Sequence, residues 1–358
     1  MIKVLELFGG IGACTKALER LGIEYEVADY VEIDKYAVKS FNAVHGTNFE
    51  PQDICTWDKD IKVDLIMHGS PCQDFSVAGR QAGGDEGSGT RSSLMYETLR
   101  IVEKLKPKYV IWENVNNLLS KKHIHNFEAY QEAMRNLGYT NYYQVLNAKN
   151  YGVPQNRERV FTVSIRNDLD WNSFEFPESF PLEKKLKDIL DDKVDEQYYL
   201  SFKALSCFMS NGTGKYPRRE RFLQNINRKN QDIGNSVTTR AGGRPTDNFV
   251  QEPFTVASRG RYNEDGDIEQ HLEPRKDGMP NTITTVQKDN LVAKGCLDGM
   301  RIRKLTPKEC WRLMGFDDTD FEKAEKVNSN TQLYKQAGNS IVVNVLEGIL
   351  SNLLKEDK

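Results

Sequence analysis

The chain has 358 residues, of which 38% are apolar, and a formal net charge of −3. That length buries a large core and calls for two domains, while the mild acidity excludes a protein basic throughout, so any nucleic-acid partner must meet a local basic face. The six cysteines, at 14, 55, 72, 207, 296 and 310, form no CxxC pair, which argues against a disulfide framework or a zinc site and for a reducing compartment.

Met1-Ile2-Lys3-Val4 runs straight into a strand without a leader, and no apolar run reaches membrane-spanning length. A cytoplasmic protein with no metal and no membrane partner is expected. Residues 4–8 read as a strand ending in Gly9-Gly10-Ile11-Gly12, and helical periodicity follows through Leu18 and Leu21 to Gly22. Residues 25–31 read as a second strand, ending at Glu32, and 33–44 as a helix. Further strands are predicted at 64–67, 109–112, 142–146 and 160–165, with helices near 93–105 and 126–137. Strands alternating with helices imply an α/β fold with a doubly wound, mostly parallel sheet.

Past Ile165 the character changes. Residues 167–300 are rich in Gly, Pro, Asn, Thr and charge, without sustained helical period, and imply a smaller β-rich domain. Val237-Thr238-Thr239 leading to Asp247-Asn248-Phe249-Val250 is echoed by Ile283-Thr284-Thr285 leading to Asp289-Asn290-Leu291-Val292, each read as a Thr-Thr strand returning through a turn. Thr306 caps a helix with Pro307 in its first turn. At the end of the chain Gly338-Asn339-Ser340 is read as opening a helix that runs to Leu354.

The chemistry concentrates at predicted strand ends, where open α/β sheets bind ligands. Phe8-Gly9-Gly10-Ile11-Gly12 suits close approach of a nucleotide-like cofactor, although a plain strand-to-helix turn explains it equally well, and Thr15 stands where a GxGxxG motif has its last glycine. Glu32, 20 residues after Gly12, is placed to accept hydrogen bonds from ribose hydroxyls. Asp53 is read at a third strand end, within reach of an adenine amino group. Gly69-Ser70-Pro71-Cys72-Gln73 presents a thiol at the sheet rim, and Glu113 in Trp112-Glu113-Asn114-Val115 lies about one βα unit downstream. A thiol and an acid on neighbouring strand ends suit covalent catalysis with proton transfer. The glycines at 79, 83, 84, 87 and 89 suit a lid. Residues 211–244 carry eight Lys/Arg against two acids, a local basic face. His123 and His125 are too isolated for a metal site, the four tryptophans read as core, and the acid runs near 189–196 and 317–326 as solvated faces.

Phe8-Gly9-Gly10-Ile11-Gly12, Pro71-Cys72-Gln73, Glu113-Asn114-Val115, Gln155-Asn156-Arg157-Glu158-Arg159 and Gly338-Asn339-Ser340 occur in that order. In this the chain resembles the DNA (cytosine-5) methyltransferases of bacteria and phages. The resemblance covers about 1–166 and 301–348, and the block between them is where that family carries its target-recognition domain. It implies S-adenosylmethionine as methyl donor, held by Phe8, Gly9, Gly10, Ile11, Gly12, Glu32, Ile33, Asp53, Ile54, Pro71, Asn339 and Ser340. Phe8 would stack on adenine, Glu32 hold the ribose, and Asp53 with Ile54 frame the base. Cys72 would be the nucleophile and Glu113 the proton donor. Either Arg157 or Arg159 can hold the cytosine carbonyl oxygen; the family pattern favours Arg159, leaving Arg157 to grip backbone. Gln73, Ser76, Arg218, Arg219, Arg221, Arg240 and Arg244 would meet double-stranded DNA. The expected division is 1–180 plus 328–358 for cofactor and catalysis and 181–327 for reading DNA, in a monomer that needs no protein partner. An RNA cytosine methyltransferase, a catalytically silent DNA-binding relative and a nicotinamide dehydrogenase are the competing readings.

Overall fold

The structure is a computed structural model that describes residues 1–71, 94–169, 173–201, 222–223, 226–228, 231–239, 249–253, 255–262, 268–275, 290–291, 296–297 and 300–355. Its first part alternates β1 (Ile2–Leu7), α1 (Ala13–Arg20), β2 (Tyr25–Val31), α2 (Lys35–His45), β3 (Leu65–His68), α3 (Met95–Leu105), β4 (Tyr109–Val115), α4 (Ile124–Asn136), β5 (Tyr139–Asn147), β6 (Gln155–Asn156) and β7 (Glu158–Arg166). Then come β8 (Ile226–Arg228), β9 (Gly234–Asn235), β10 (Phe249–Pro253), β11 (Thr255–Tyr262), β12 (Ile268–Arg275), β13 (Asn290–Leu291), β14 (Cys296–Leu297) and β15 (Met300–Lys304). Four helices follow, α5 (Pro307–Arg312), α6 (Asp318–Glu325), α7 (Asn330–Asn339) and α8 (Val343–Leu353).

Six strands form the main sheet in the order β2-β1-β3-β4-β7-β5. β1 pairs in parallel with β2 and β3, and β3 with β4, whereas β7 is antiparallel to both β4 and β5. This is the mixed, mostly parallel, doubly wound sheet expected. The side-chain period of two sends alternate residues to opposite faces. Val4, Leu65, Met67, Ile111 and Phe161 pack in one core with α1, α5, α7 and α8, while Leu5, Ile66, Val110 and Trp112 pack in another with α3 and α4. The switch in winding direction falls between β1 and β3, so their carboxyl ends flank the crevice in which such sheets take ligands.

The later strands form a four-stranded sheet, β14-β15-β10-β8, a three-stranded one, β12-β11-β13, and the pair β6-β9, which is the β-rich character expected of this region. Helices α5 and α6, expected with that block, instead lend Trp311, Phe321 and Ala324 to the core on the α1 face of the main sheet.

Four local expectations are corrected. The helix expected to open at Gly338-Asn339-Ser340 is α8, but it starts only at Val343, and Gly338 and Asn339 are the last residues of α7. Val237-Thr238-Thr239 is not a strand, although the Phe249-Val250 return is one. The acid run at 317–326 is not a solvated face throughout, for Asp320 is buried and pairs with Lys16 at 3.0 Å, joined by Asp317 at 3.1 Å. Asp191, in the other run, binds the Arg312 guanidinium at 2.8 Å. Thr306 does cap α5: its hydroxyl accepts from the Glu309 N–H, and the Glu309 carboxylate accepts from the Thr306 N–H at 2.7 Å. Trp57, Trp112 and Trp311 are core residues, as expected.

Candidate active site

The glycine turn follows β1 and ends at Gly12, the residue before α1, with φ +79°. A Cβ there would lie 2.4 Å from the His45 ring and 2.7 Å from Phe41, so both conformation and space require glycine. Phe8 adopts φ +54°, a left-handed conformation that costs a non-glycine residue about 1–2 kcal/mol. Such strain collects at functional turns. The Glu32 carboxylate, at the end of β2, accepts from the Gly10 N–H at 3.2 Å and from the Asp34 N–H at 2.8 Å. Burial raises its pKa, with those two donors opposing the shift. Ile33 beside it is 69% exposed.

Asp53 does not end a strand. It sits in a turn ahead of β3, where its carboxylate accepts from the Cys55 N–H at 3.0 Å. The turn still lies beside Glu32, because the Gln52 N–H donates to the Glu32 carbonyl at 2.9 Å, and Ile54 is buried there.

At the end of β3, Ser70 is buried and anchored: the Trp112 indole N–H donates to its hydroxyl at 2.9 Å and the Asn114 amide to its carbonyl at 3.4 Å. Trp112 stacks on His68, whose pKa burial lowers to about 3, so its ring stays neutral. Pro71 follows directly. Cys72, Gln73, Ser76 and the glycine-rich stretch expected to form a lid lie outside the described residues, as do Arg218, Arg219, Arg221, Arg240 and Arg244.

Glu113 lies near the end of β4. Because β7 runs antiparallel to β4, its first residues arrive where the parallel strands finish, and Arg159 pairs with Val115. The Arg159 guanidinium thus reaches the Glu113 carboxylate at 3.1 Å. Burial raises the Glu113 pKa, opposed by Arg159 and then Arg157. Arg157 does not face the acid in the same way. Its buried guanidinium donates to the Gly338 and Ser340 carbonyls at 3.1 and 2.9 Å and to the Val237 carbonyl at 3.3 Å. It grips backbone, the alternative left open by the sequence. Asn339 is exposed, and the Ser340 hydroxyl donates to the Ile341 carbonyl at 3.1 Å.

Sequence reasoning missed Glu6. This acid is buried in β1, accepts from the Thr15 N–H at 2.9 Å and from its hydroxyl, and burial raises its pKa to about 7. A charged residue within Val4-Leu5-Glu6-Leu7 of a buried parallel strand was the available signal. Gln155 was legible only as part of the Gln155-to-Arg159 run, and its grip on Val237 and Leu313 shows only in the tertiary contacts described below. Among the described residues no His/Cys/Asp/Glu cluster could hold a metal ion, and no helix is long and apolar enough to cross a membrane.

A mixed, mostly parallel α/β sheet with a glycine turn after β1, Glu32 after β2 and the Glu113–Arg159 pair where β4 meets antiparallel β7 has the methyltransferase fold. The chain matches the C-5 cytosine-specific DNA methylase family over residues 2–355 and belongs to it. It is similar to the orphan methyltransferase M.SPBetaI of Bacillus phage SPbeta, with 32% identity over 99% of this chain and 97% of that one. It also resembles the type II methyltransferase M.HhaI of Haemophilus parahaemolyticus, 32% identical over 98% of this chain and 94% of that one. Among solved structures, a Spodoptera frugiperda DNMT2 mutant shares the fold with a TM-score of 0.69 at 20% identity, covering 99% of this chain and all of that one. The protein is a DNA (cytosine-5-)-methyltransferase.

Proposed function

We propose that the protein transfers a methyl group from S-adenosylmethionine to carbon 5 of a cytosine flipped out of a specific double-stranded DNA sequence, through a covalent Cys72 adduct at carbon 6. The observation that carries this reading is the Glu113–Arg159 pair at 3.1 Å beside the anchored Ser70-Pro71 segment. It supports the reading because an acid and a cation meet at the ends of β4 and β7, next to the end of β3 from which the chain continues through Ser70 and Pro71 toward Cys72.

The donor set fits the cofactor. Glu32 offers a carboxylate to ribose hydroxyls, exposed Ile33 and half-buried Phe8 offer apolar surface to a base, and the backbone of Gly9, Gly10, Ile11 and Gly12 precedes the N-terminus of α1, where a carboxylate is favoured. Asp53, Ile54, Pro71, Asn339 and Ser340 would complete the enclosure. S-adenosylmethionine, when bound, supplies a methyl carbon made electrophilic by the adjacent sulfonium.

Cytosine carbon 5 is a poor nucleophile until the Cys72 thiolate adds to carbon 6. The new S–C bond pushes electron density onto the ring, and a proton from Glu113 to ring nitrogen 3 neutralises it. The raised Glu113 pKa suits that donation, because burial favours the protonated acid against the opposing pull of Arg159. Arg159 orients the Glu113 carboxyl and holds the cytosine carbonyl oxygen. After methyl transfer the carbon 5 proton leaves to a base or water, the S–C bond breaks, and Glu113 recovers its proton. Flipping the base costs roughly a few kcal/mol, which DNA contacts must offset. Gln73, Ser76, Arg218, Arg219, Arg221, Arg240 and Arg244 are proposed for those contacts. The catalytic unit comprises 1–180 and the C-terminal helices, with the reader between them, and the protein acts as a cytoplasmic monomer, alone or beside a restriction enzyme.

Incubating the protein with cofactor and a duplex carrying 5-fluorocytosine at the target tests the mechanism. A covalent complex should form, since fluorine cannot leave as a cation, and Cys72→Ser should abolish both complex and turnover. Turnover surviving in Cys72→Ser would overturn it, and transfer to RNA but not to DNA would overturn the substrate.

A further inference from the structure

The break at 338–340 has two sides. Asn339 and Ser340 are the candidate cofactor contacts, but Gly338 meets another part of the chain. A Cβ on Gly338 would lie 2.5 Å from the Thr239 backbone nitrogen and 2.6 Å from the Thr238 carbonyl carbon. Backbone atoms cannot swing aside as a side chain can, so the Thr238–Thr239 main chain is seated directly on this glycine.

The same segment is fastened from behind. β9 pairs in parallel with β6, and the Gly234 N–H donates to the Pro154 carbonyl at 2.7 Å. Gln155, fully buried, accepts from the Val237 N–H at 2.8 Å while its own amide donates to the Leu313 carbonyl at 2.5 Å. Arg157 spans both segments. One guanidinium nitrogen donates to the Ser236 hydroxyl at 3.4 Å and the Val237 carbonyl at 3.3 Å, and the other to the carbonyls of Gly338 and Ser340. Four separate stretches of chain, at 154–157, 234–239, 313 and 338–340, therefore meet in one hydrogen-bonded knot, and donation from both ends of a planar guanidinium fixes the relative positions of the second and the last.

We propose that Gly338, backed by Gln155 and Arg157, is a specificity-determining positioning residue. It seats Thr238–Thr239 and so fixes the point from which the chain continues to Arg240 and Arg244, within two residues of the cofactor contact at Ser340. Residues that read base edges gain discrimination only when their starting point is held, because hydrogen bonding in a groove fails with small displacements. The inference rests on the methyltransferase reading above. It assigns the glycine of Gly338-Asn339-Ser340 to target reading and only the two following residues to the cofactor.

The test uses the full-length protein and the Gly338→Ala and Gln155→Met variants, the latter removing the acceptor of the Val237 N–H without touching 338–340. Cofactor affinity is measured by calorimetry. Discrimination is the ratio of single-turnover methylation rates on the preferred duplex and on duplexes with one base pair changed. Each variant should bind cofactor within about twofold of the unmodified protein while its discrimination falls by about tenfold or more. Should Gly338→Ala fail to fold, Gln155→Met carries the same expectation. Discrimination intact in both variants, or cofactor affinity lost with discrimination intact, overturns the proposal. An unmodified protein that methylates no duplex at all overturns the underlying reading, and this inference with it, so the two failures are distinguishable.

Discussion

Among single residues, buried acids carry the sharpest consequences. Glu6 is folded into β1 with a pKa of about 7, against an ordinary 4.5, because burial disfavours its charge. Between those values the folded state binds more protons than the unfolded one, so stability is full below pH 4.5 and is lost as pH rises through 7. Glu6→Gln keeps an acceptor for Thr15 without the ionisation. Its thermal midpoint, relative to the unmodified protein, should therefore rise between pH 5 and 8, by up to about 3 kcal/mol in stability. His68 acts the opposite way: its pKa of about 3, against 6.5, means stability falls as pH drops below 6.5, a contribution that cancels in the Glu6→Gln comparison. Glu32 and Glu113 separate binding from chemistry. Glu32→Ala should weaken cofactor binding by about 1–3 kcal/mol in calorimetry, the cost of lost hydrogen bonds to a charged group. Glu113→Gln should leave that affinity unchanged and slow the single-turnover rate by about 10²–10⁴. The same defect in both variants would refute the division of roles.

Elements meet through their ends. Pro307 at the start of α5 and the Thr306–Glu309 capping box were legible as sequence, because a cap is written within four residues. What that box also does was not legible. Glu309 forms a fully buried pair with Arg303 of β15 at 2.8 Å, tying the four-stranded sheet to the helices on the main sheet. Glu309→Ala would leave the Arg303 charge buried without the Glu309 carboxylate, and chemical denaturation should show a loss of about 3–5 kcal/mol. A loss no larger than the roughly 1 kcal/mol of a missing cap would show that the pair contributes little. That α7 runs into Gly338 and Asn339 before α8 begins was hidden for a related reason. Both pieces are apolar on the side facing the core, so periodicity carries across the break, which the contacts of Gly338 and Ser340 with Arg157 mark instead.

Across the whole molecule, the separation of catalysis from reading is testable. Moving residues 181–300 into a relative of different specificity should transfer the methylated sequence with the block, as read by bisulfite sequencing; an active chimera that keeps its scaffold's target would place the reader elsewhere. Neutralising Arg218, Arg219 and Arg221 together should flatten the salt dependence of duplex affinity, by roughly 0.9 in log–log slope for each phosphate contact removed.

Residue order alone established the alternation of strands and helices, the glycine turn with Glu32 beyond β2, and Glu113 at the end of β4, because each is encoded in a few neighbouring residues. Tertiary structure alone decided which way β7 runs. Had it been parallel to β4, Arg157 and Arg159 would lie at the opposite edge of the sheet from Glu113. Strand direction depends on pairing between Val115 and Arg159, 44 residues apart, and no local period records it. The burial of Glu6 and the knot around Arg157 belong to the same class. Each is settled by what packs against it from far along the chain, as Thr238–Thr239 does on Gly338.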